Sequence, residues 1–202
     1  MKNSLVILLF FSVGIFMGLL HILPQFLIAK DYSMYALYVL MFLVGISIGA
    51  DRESWKAIRQ MNLKIVLVPA GIVAGTLAGS AVIGALVPGL NIRESMAVGA
   101  GFGYYSLSSI FIAQISGETL GVIALLSNIM REIFTLLMTP VLVLYFGKLA
   151  GIASGGATSM DTTMPVIVKY SGKEWGIVAV FSGVVLSVAV PFLVSFILKM
   201  NL

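Results

Sequence analysis

One stretch of this chain places a carboxylate among several hydroxyls inside an apolar sequence. Residues 155–165 read GGATSMDTTMP and hold Asp161 among four Ser and Thr side chains. The paired glycines permit unusual backbone, and Pro165 stops a helix from running smoothly through the segment. An acid beside freed carbonyls can bind a cation within a membrane, so we predict a solute or ion site here. The alternative is a solvated loop in which Asp161 caps a helix.

The predicted binding residues of this stretch share oxygen side chains, and they are Thr158, Ser159, Asp161, Thr162 and Thr163. Hydroxyl and carboxylate oxygens are the ligands that hard cations prefer. Asp161 and Thr162 are therefore candidate Na⁺ ligands. A proton route is the other option, because burial raises the pKa of a carboxyl group.

A second candidate site lies in the long apolar run at residues 119–146. Arg131 and Glu132 lie near its middle, where each charge costs at least about 2.5–3.5 kcal/mol to insert into a bilayer. Polar residues of the run recur at i, i+4, i+7 and i+11 and form one stripe on a helix, namely Asn128, Glu132, Thr135 and Thr139. We predict that Asn128, Arg131 and Glu132 bind solute or ion. The alternative is a structural network in which Arg131 holds an acid or a helix C-terminus.

A third group of candidates follows a glycine-rich stretch. Gly99, Gly101 and Gly103 weaken any helix that runs through residues 95–116. A tyrosine ring can face an ammonium group, and hydroxyl oxygens can accept its hydrogens. The predicted binding residues here are Tyr104, Tyr105, Ser106 and Ser108. A packed tip of aromatic and serine side chains is the alternative.

The composition determines which elements must position these groups. Of the 202 residues, 60% are hydrophobic and 10% are charged, against roughly 45–50% and 25% in soluble domains. The apolar runs are about twenty residues long, which at about 1.5 Å per residue matches a hydrocarbon core of roughly 30 Å. We therefore predict an all-α integral membrane protein.

Five apolar runs are long enough to cross a bilayer, at about residues 4–23, 34–50, 65–87, 119–146 and 175–198. Residues 95–116 and 152–168 are apolar but interrupted by glycine and polar groups, which disfavours lipid-facing helices. We predict that both are re-entrant hairpins that enter from opposite faces, as in an inverted repeat. Seven full spans are the alternative.

This arrangement divides the chain into four segments. Residues 1–64 contain two spans and a basic cytoplasmic loop, and residues 65–118 contain a span and the first hairpin. Residues 119–172 contain the polar-striped span and the second hairpin, and residues 173–202 contain the last span. Gly71, Gly75 and Gly79 at spacing four predict a face for close helix packing.

Basic residues predict the orientation. With five crossings, eight Lys and Arg residues fall inside and three outside, so the N-terminus is cytoplasmic and the C-terminus outside. Seven spans would move Lys148 outside, so the charge rule favours the hairpins by one residue.

Residue usage argues against several other functions. The chain has no cysteine and one histidine, which disfavours thiolate chemistry and a His-based metal site. Its net charge of +4 comes largely from loop residues and gives no case for nucleic acid. An intramembrane aspartyl protease needs two aspartates on facing helices, but Asp31 and Asp51 lie at span ends. We therefore predict no enzyme and no organic cofactor.

Three motifs together resemble a known family. They are GAGFGYYSLSS at 99–109, LSNIMRE at 126–132 and GGATSMDTTMP at 155–165, and they occur in the order found in the LysO-type lysine exporter family. The resemblance implies a secondary transporter of the bacterial or archaeal inner membrane that exports L-lysine and its toxic analogues. It also implies that the intramembrane acids, here Glu132 and Asp161, are needed for transport.

The resemblance also implies a partner. Full-length members have several spans before the part that corresponds to residue 1, so this chain resembles the C-terminal portion of a split exporter. We expect a small, separately encoded membrane protein to supply those spans, and a homo-oligomer stays open.

Chemistry and resemblance together suggest a mechanism. Lysine has two ammonium groups and one carboxylate, so Glu132 or Asp161 would take ammonium groups and Arg131 or a hairpin helix N-terminus the carboxylate. The hairpin tips would meet at mid-membrane, and an inward H⁺ or Na⁺ gradient would drive exchange. The alternatives are a transporter of another small charged solute and a non-transporting membrane subunit of a split carrier.

Overall fold

The computed structural model describes residues 63–199 continuously, together with eight isolated positions closer to the N-terminus. The chain divides into two compact units, Met1–Ile46 and Ser47–Leu202, and everything below concerns the second. Apart from the isolated positions, the spans predicted at residues 4–23 and 34–50 and most of the basic loop lie outside the described residues.

The continuously described part consists of helices joined by short links. After a 3₁₀ turn at Leu63–Val66, the helices are α1 (Leu67–Leu86), α2 (Ile92–Gly99), α3 (Tyr105–Ser116), α4 (Glu118–Phe146), α5 (Ala150–Gly155), α6 (Met164–Ser171) and α7 (Gly176–Lys199), with further 3₁₀ turns at Gly156–Met160 and Lys173–Trp175. Of these, α1, α4 and α7 are long and apolar enough to cross a membrane. The three corresponding predicted runs are therefore confirmed as long apolar helices.

Helices α2 and α3, with the turn between them, form the first hairpin. Gly84 of α1 lies against Ile92 at the start of α2, so α1 and α2 run antiparallel. Helix α3 lies antiparallel to the first half of α4, because Ala113 contacts Gly121. Asn128, in the middle of α4, binds backbone at both inner ends of the hairpin. The hairpin therefore reaches from the beginning of α4 to its middle and returns.

Helices α5 and α6, with the turn between them, form the second hairpin at the other end of α4. The hydroxyl oxygens of Thr135 in α4 and Ser154 in α5 are 2.7 Å apart, so α5 lies along the second half of α4. Ser171 at the end of α6 donates a 2.8 Å hydrogen bond to the carbonyl of Lys148, just before α5. Both outer ends of this hairpin thus lie where α4 ends.

The inner tips of the two hairpins touch each other. The backbone N–H of Ala157 donates to the carbonyl of Phe102 over 2.8 Å. Phe102 is fully buried and has a φ of 47°, a left-handed conformation that costs a non-glycine residue about 1–3 kcal/mol. Gly156 has a φ of 61°, and a Cβ at this position would collide with the Phe102 carbonyl. The close approach of the tips therefore requires glycine at 156.

Helix α7 packs against both hairpins and contacts the tip of the second. Gly183 lies against Met160 and the carbonyl of Ala157 in the second tip, and α7 also packs on α2 and α3. In its most apolar stretch 56% of the residues are buried, against 17% in α1 and 22% in α4. The core is therefore built around α7 and the tips, while α1 and α4 keep broad exposed faces.

The small residues of α1 make no close helix contact within residues 63–199. A Cβ added at Gly71, Gly75 or Gly79 meets nothing within 4 Å in this part of the chain. Close helix packing on this face therefore stays a prediction. Gly75 and Gly79 line a groove that is described below.

We predict that Gly156→Ala destabilises the protein. The added methyl meets the Phe102 carbonyl, and the alanine must adopt a sparsely populated conformation, so the free energy of unfolding should fall by at least about 1–3 kcal/mol. Thermal unfolding of the purified protein in detergent measures this. Gly71→Ala is the matched control, because its added methyl meets no atom of residues 63–199 and the substitution lies within a helix, so it should be neutral or stabilise by up to about 1 kcal/mol. Equal melting temperatures for the two variants would contradict the contact between the tips.

Candidate functional site

Arg131 lies where α4 passes the hairpin tips, and its guanidinium binds the end of α5. Its Nε donates to the Ser154 carbonyl over 2.9 Å, and its Nη2 donates to the Ala153 carbonyl over 3.0 Å. Its Nη1 lies 3.5 Å from the hydroxyl of Thr76 in α1. The last carbonyls of a helix lack intrahelical donors, so Arg131 satisfies groups that the chain break leaves free. This contact agrees with the structural alternative for Arg131, that of holding a helix C-terminus.

Asn128 is occupied by the backbone of the first hairpin. Its side chain is 3% exposed, and its Oδ1 accepts a 2.7 Å hydrogen bond from the N–H of Gly103. Its Nδ2 donates to the carbonyls of Val98 and Ala124. Both its amide hydrogens and its oxygen are therefore used to position the tip.

Electrostatic interactions link four of the predicted site residues, which lie on three elements. The carboxylates of Glu132 and Asp161 are both within electrostatic range of the Tyr105 hydroxyl, and that of Asp161 is also within range of the Tyr104 hydroxyl. We call these four residues the acid–tyrosine cluster. It joins the middle of α4 to the tips of both hairpins, so its geometry depends on how the tips meet.

The Asp161 carboxylate is exposed and only partly engaged. Its Oδ1 accepts a 2.6 Å hydrogen bond from the N–H of Thr162, whose hydroxyl lies 3.3 Å from the same oxygen. Among the described residues, Oδ2 has no partner. Thr163, which precedes α6, makes no side-chain capping bond, and Pro165 lies in the first turn, where a missing N–H costs nothing. The structure therefore does not show Asp161 as a helix cap.

The remaining hydroxyls of the second tip are buried and bonded internally. Thr158 donates to the Gly155 carbonyl over 2.9 Å and lies 3.4 Å from the Thr163 hydroxyl. The Ser159 hydroxyl lies 2.6 Å from the Gly156 carbonyl and 3.0 Å from that of Ala179. A hydroxyl that donates its hydrogen keeps lone pairs for a cation. Within residues 63–199 no cluster of three or more His, Cys, Asp or Glu side chains could hold a metal ion.

The serines of the first tip differ from each other. Ser108 is buried and donates to the Tyr104 carbonyl over 2.9 Å, so it stabilises the start of α3. Ser106 is exposed beside Tyr105. Of the two, only Ser106 presents its hydroxyl at the surface of the tip.

A groove of about 600 Å³ lies beside Arg131, between α1, α2 and α4. We call it the α1–α2–α4 groove. Its polar lining includes Thr76, Ser80, Glu94, Ser95, Ser127, Asn128 and Arg131. Sequence reasoning identified Asn128 and Arg131 of these.

Other residues of the site were also missed. The Ser154 hydroxyl lies 2.7 Å from that of Thr135, and the Ser154 carbonyl accepts a hydrogen bond from Arg131. In the sequence, nothing marks Ser154 as a site residue except that two glycines follow it. Phe102 also gives no signal in the sequence, since aromatic residues rarely adopt a left-handed backbone. Glu94 is an acid in the first turn of α2, a common position for acids at a helix N-terminus, so the sequence does not mark it as a binding residue.

Three long apolar helices, with two hairpins that extend from opposite ends of α4 and meet at their tips, define a multi-pass helical membrane protein. A family model described as Lysine exporter LysO matches residues 8–198. The chain belongs to the lysine exporter LysO family, which confirms the resemblance carried by the three motifs. This is a family of transporters rather than enzymes.

Two relatives illustrate the extent of the similarity. The Lysine exporter LysO of Escherichia coli (strain K12) is 33% identical over 168 residues, which are 83% of this chain and 55% of that protein. A putative lysine exporter of Haemophilus influenzae (strain ATCC 51907 / DSM 11121 / KW20 / Rd) is 32% identical over 164 residues, which are 81% of this chain and 83% of that protein. The chain thus spans little more than half the length of the E. coli relative. No solved structure matches it.

We predict that Arg131→Lys destabilises the fold although it keeps the charge. A lysine ammonium cannot reproduce the planar fork that binds two adjacent carbonyls, so the free energy of unfolding should fall by about 1–3 kcal/mol. Thermal unfolding in detergent measures the change. Lys148→Arg is the reverse control, since Lys148 is exposed and bonds one carbonyl, and it should alter stability by less than about 0.5 kcal/mol. If Arg131→Lys melts like the wild type, the guanidinium does not hold the second hairpin.

Proposed function

We propose that this chain is the carrier part of a secondary active transporter that exports L-lysine in exchange for H⁺ or Na⁺. The observation that carries the proposal is the acid–tyrosine cluster, because two carboxylates lie within electrostatic range of Tyr105 on the first hairpin, whose tip touches that of the second. Membership of the lysine exporter family supplies the cargo class. A broken helix pair at mid-membrane is a common way for secondary transporters to bind solute and ion together.

The proposed membrane topology follows from α4. If α4 crosses the bilayer, both hairpins reach its middle and return, so they are re-entrant from opposite faces. Lys148, Lys169 and Lys173 lie at the outer end of the second hairpin, whereas Arg93 and Lys199 lie at the opposite end. The positive-inside rule therefore supports a cytoplasmic second hairpin and an external C-terminus in the inner membrane.

The chemistry of the cluster suits a cation. Glu132 and Asp161 provide negative charge for an ammonium group, and the rings of Tyr104 and Tyr105 can add a cation–π contact. The same carboxylates can instead bind the coupling ion. Asp161 Oδ1 and the Thr162 hydroxyl, 3.3 Å apart, are spaced for two oxygen ligands of Na⁺, and a protonated carboxyl would serve H⁺. Competition for one set of acids would link lysine release to ion entry.

Alternating access requires the tips to separate. The Ala157 to Phe102 hydrogen bond links the two hairpin tips, and in the proposed cycle each half-cycle opens one hairpin while the other holds the cluster. We propose that cargo or ion bound at the cluster determines which hairpin moves. No organic cofactor enters this scheme.

A small, separately encoded membrane protein is also part of the proposal. The E. coli relative is nearly twice as long as its region that matches this chain. We propose that this chain works with such a partner. Lysine counterflow by the purified chain alone would show that no partner is needed.

Two other functions compete with lysine export. A carrier of a different small charged solute would exchange that solute and ignore lysine. A non-transporting subunit would tolerate neutral substitutions at Glu132 and Asp161, because assembly does not use their charge. Charge complementarity between the cluster and an ammonium group favours lysine over both.

We predict that Glu132→Gln and Asp161→Asn each reduce lysine counterflow in proteoliposomes by at least about tenfold, because each removes a charge that binds cargo or ion. Imposed H⁺ and Na⁺ gradients identify the coupling ion. Glu174→Gln is the matched control, since Glu174 is exposed on the 3₁₀ turn before α7 and should transport normally. Undiminished exchange in both acid variants, or no lysine exchange by folded wild-type protein with its partner, would overturn the proposal.

A further inference from the structure

We infer that the α1–α2–α4 groove is a second lysine-binding site, with Arg131 and Thr76 holding the carboxylate and Glu94 holding an ammonium group. The inference rests on the proposed function, because it takes lysine as the cargo. It adds a site on the route between the acid–tyrosine cluster and the outer end of the first hairpin.

The groove lies against the side of α4 that carries Arg131. Its α4 lining includes Leu120, Ser127 and Arg131, which are spaced i, i+7 and i+11, together with Asn128. Glu132 is rotated about 100° from Arg131 around the helix and does not line the groove. A volume of about 600 Å³ falls within the range of roughly 300–1,000 Å³ found for ligand pockets. The groove can therefore hold an amino acid separately from the cluster.

Among the described residues, no carboxylate lies at the inner end of the groove. In this part of the chain, Arg131 is bound by two carbonyls and a hydroxyl. Its Nε and Nη2 bind the carbonyls, and the one contact described for Nη1 within residues 63–199 is that at 3.5 Å with the Thr76 hydroxyl. A carboxylate beside Nη1 and the Thr76 hydroxyl would receive charge-assisted hydrogen bonds. This end is therefore suited to the carboxylate of an amino acid.

An acid, Glu94, lies further towards the outer end of the groove. Gly99 lies against Thr76 and Ser80, and Glu94 precedes Gly99 by five residues on α2. Five residues correspond to about 7.5 Å along a helix axis. An extended lysine spans a similar length of about 7.5 Å over the six bonds from its carboxylate carbon to Nζ. The Ser80 and Ser95 hydroxyls lie between the two ends and can accept hydrogens from the α-ammonium group.

The charges of the groove select among cargoes. A dicarboxylate would place an anion beside Glu94, and a neutral amino acid would leave Glu94 without a partner. A cationic amino acid satisfies Glu94 and Arg131 together. In the proposed orientation the groove opens outward near Gly89 and Asn91, so it would hold lysine before release.

The test compares Glu94→Gln with Glu118→Gln. Glu118 begins α4 at the same end of the molecule, is exposed and does not line the groove. Two quantities are measured in each variant: the KM for lysine in counterflow, and the preference for lysine over norleucine, which lacks the ε-ammonium group. We expect Glu94→Gln to raise the KM for lysine and to reduce the preference by about tenfold, while Glu118→Gln matches the wild type.

A second variant and a binding measurement keep the test decisive if Glu94→Gln folds poorly. Thr76→Val preserves the shape of the side chain and should weaken the binding of lysine but not that of lysinol, which has no carboxylate. Calorimetry should show that the Glu132→Gln protein still binds lysine. The double variant with Glu94→Gln should not bind it.

The outcomes separate the two proposals. If the wild type exchanges lysine and Glu94→Gln behaves like Glu118→Gln in KM and preference, the groove inference is overturned and the proposed function stands. If the wild type exchanges no lysine but binds it in a Glu94-dependent manner, the groove stands and the export proposal fails. Neither exchange nor Glu94-dependent binding would reject both.

Discussion

Two helix breaks inside an apolar protein leave backbone groups that must find partners within the protein, because hydrocarbon offers none. The guanidinium of Arg131 binds the carbonyls at the end of α5, and Asn128 binds a carbonyl and an N–H of the first hairpin. The tips satisfy each other through Ala157 and Phe102. Much of the polar content of α4 is explained by this one requirement. A cation or amide in the middle of an apolar helix is tolerated because the broken backbone beside it needs a donor.

The same helix carries a different kind of charge one residue further on. Glu132 is rotated about 100° from Arg131 and lies within electrostatic range of Tyr105. These adjacent residues of opposite charge therefore have different surroundings. Arg131 binds the end of the second hairpin, and Glu132 places negative charge within electrostatic range of the first. This division explains how neighbouring charges can persist in an apolar helix without pairing with each other.

Contact between the tips makes the acid–tyrosine cluster a joint property of both hairpins. Asp161 comes from the second hairpin and the tyrosines from the first, so movement of either hairpin alters the cluster. The left-handed Phe102 and the glycine at 156 show how closely the tips approach. A bound cation would therefore change the relative stability of arrangements that differ in the tip contact, which is the physical requirement for coupling cargo to conformation.

Local features allowed much of this protein to be anticipated from its sequence. The lengths of the apolar runs predicted α1, α4 and α7, and glycine and proline predicted the breaks near Gly101 and Gly156, because both signals act over a few residues. Three motifs sufficed to indicate the family. The tertiary structure decided which groups meet. Arg131 binds carbonyls 22 and 23 residues away, and Glu94 shares a groove with Arg131. The Phe102 carbonyl accepts a hydrogen bond from Ala157. Such pairings depend on how separate helices pack, and no local pattern of side chains specifies them.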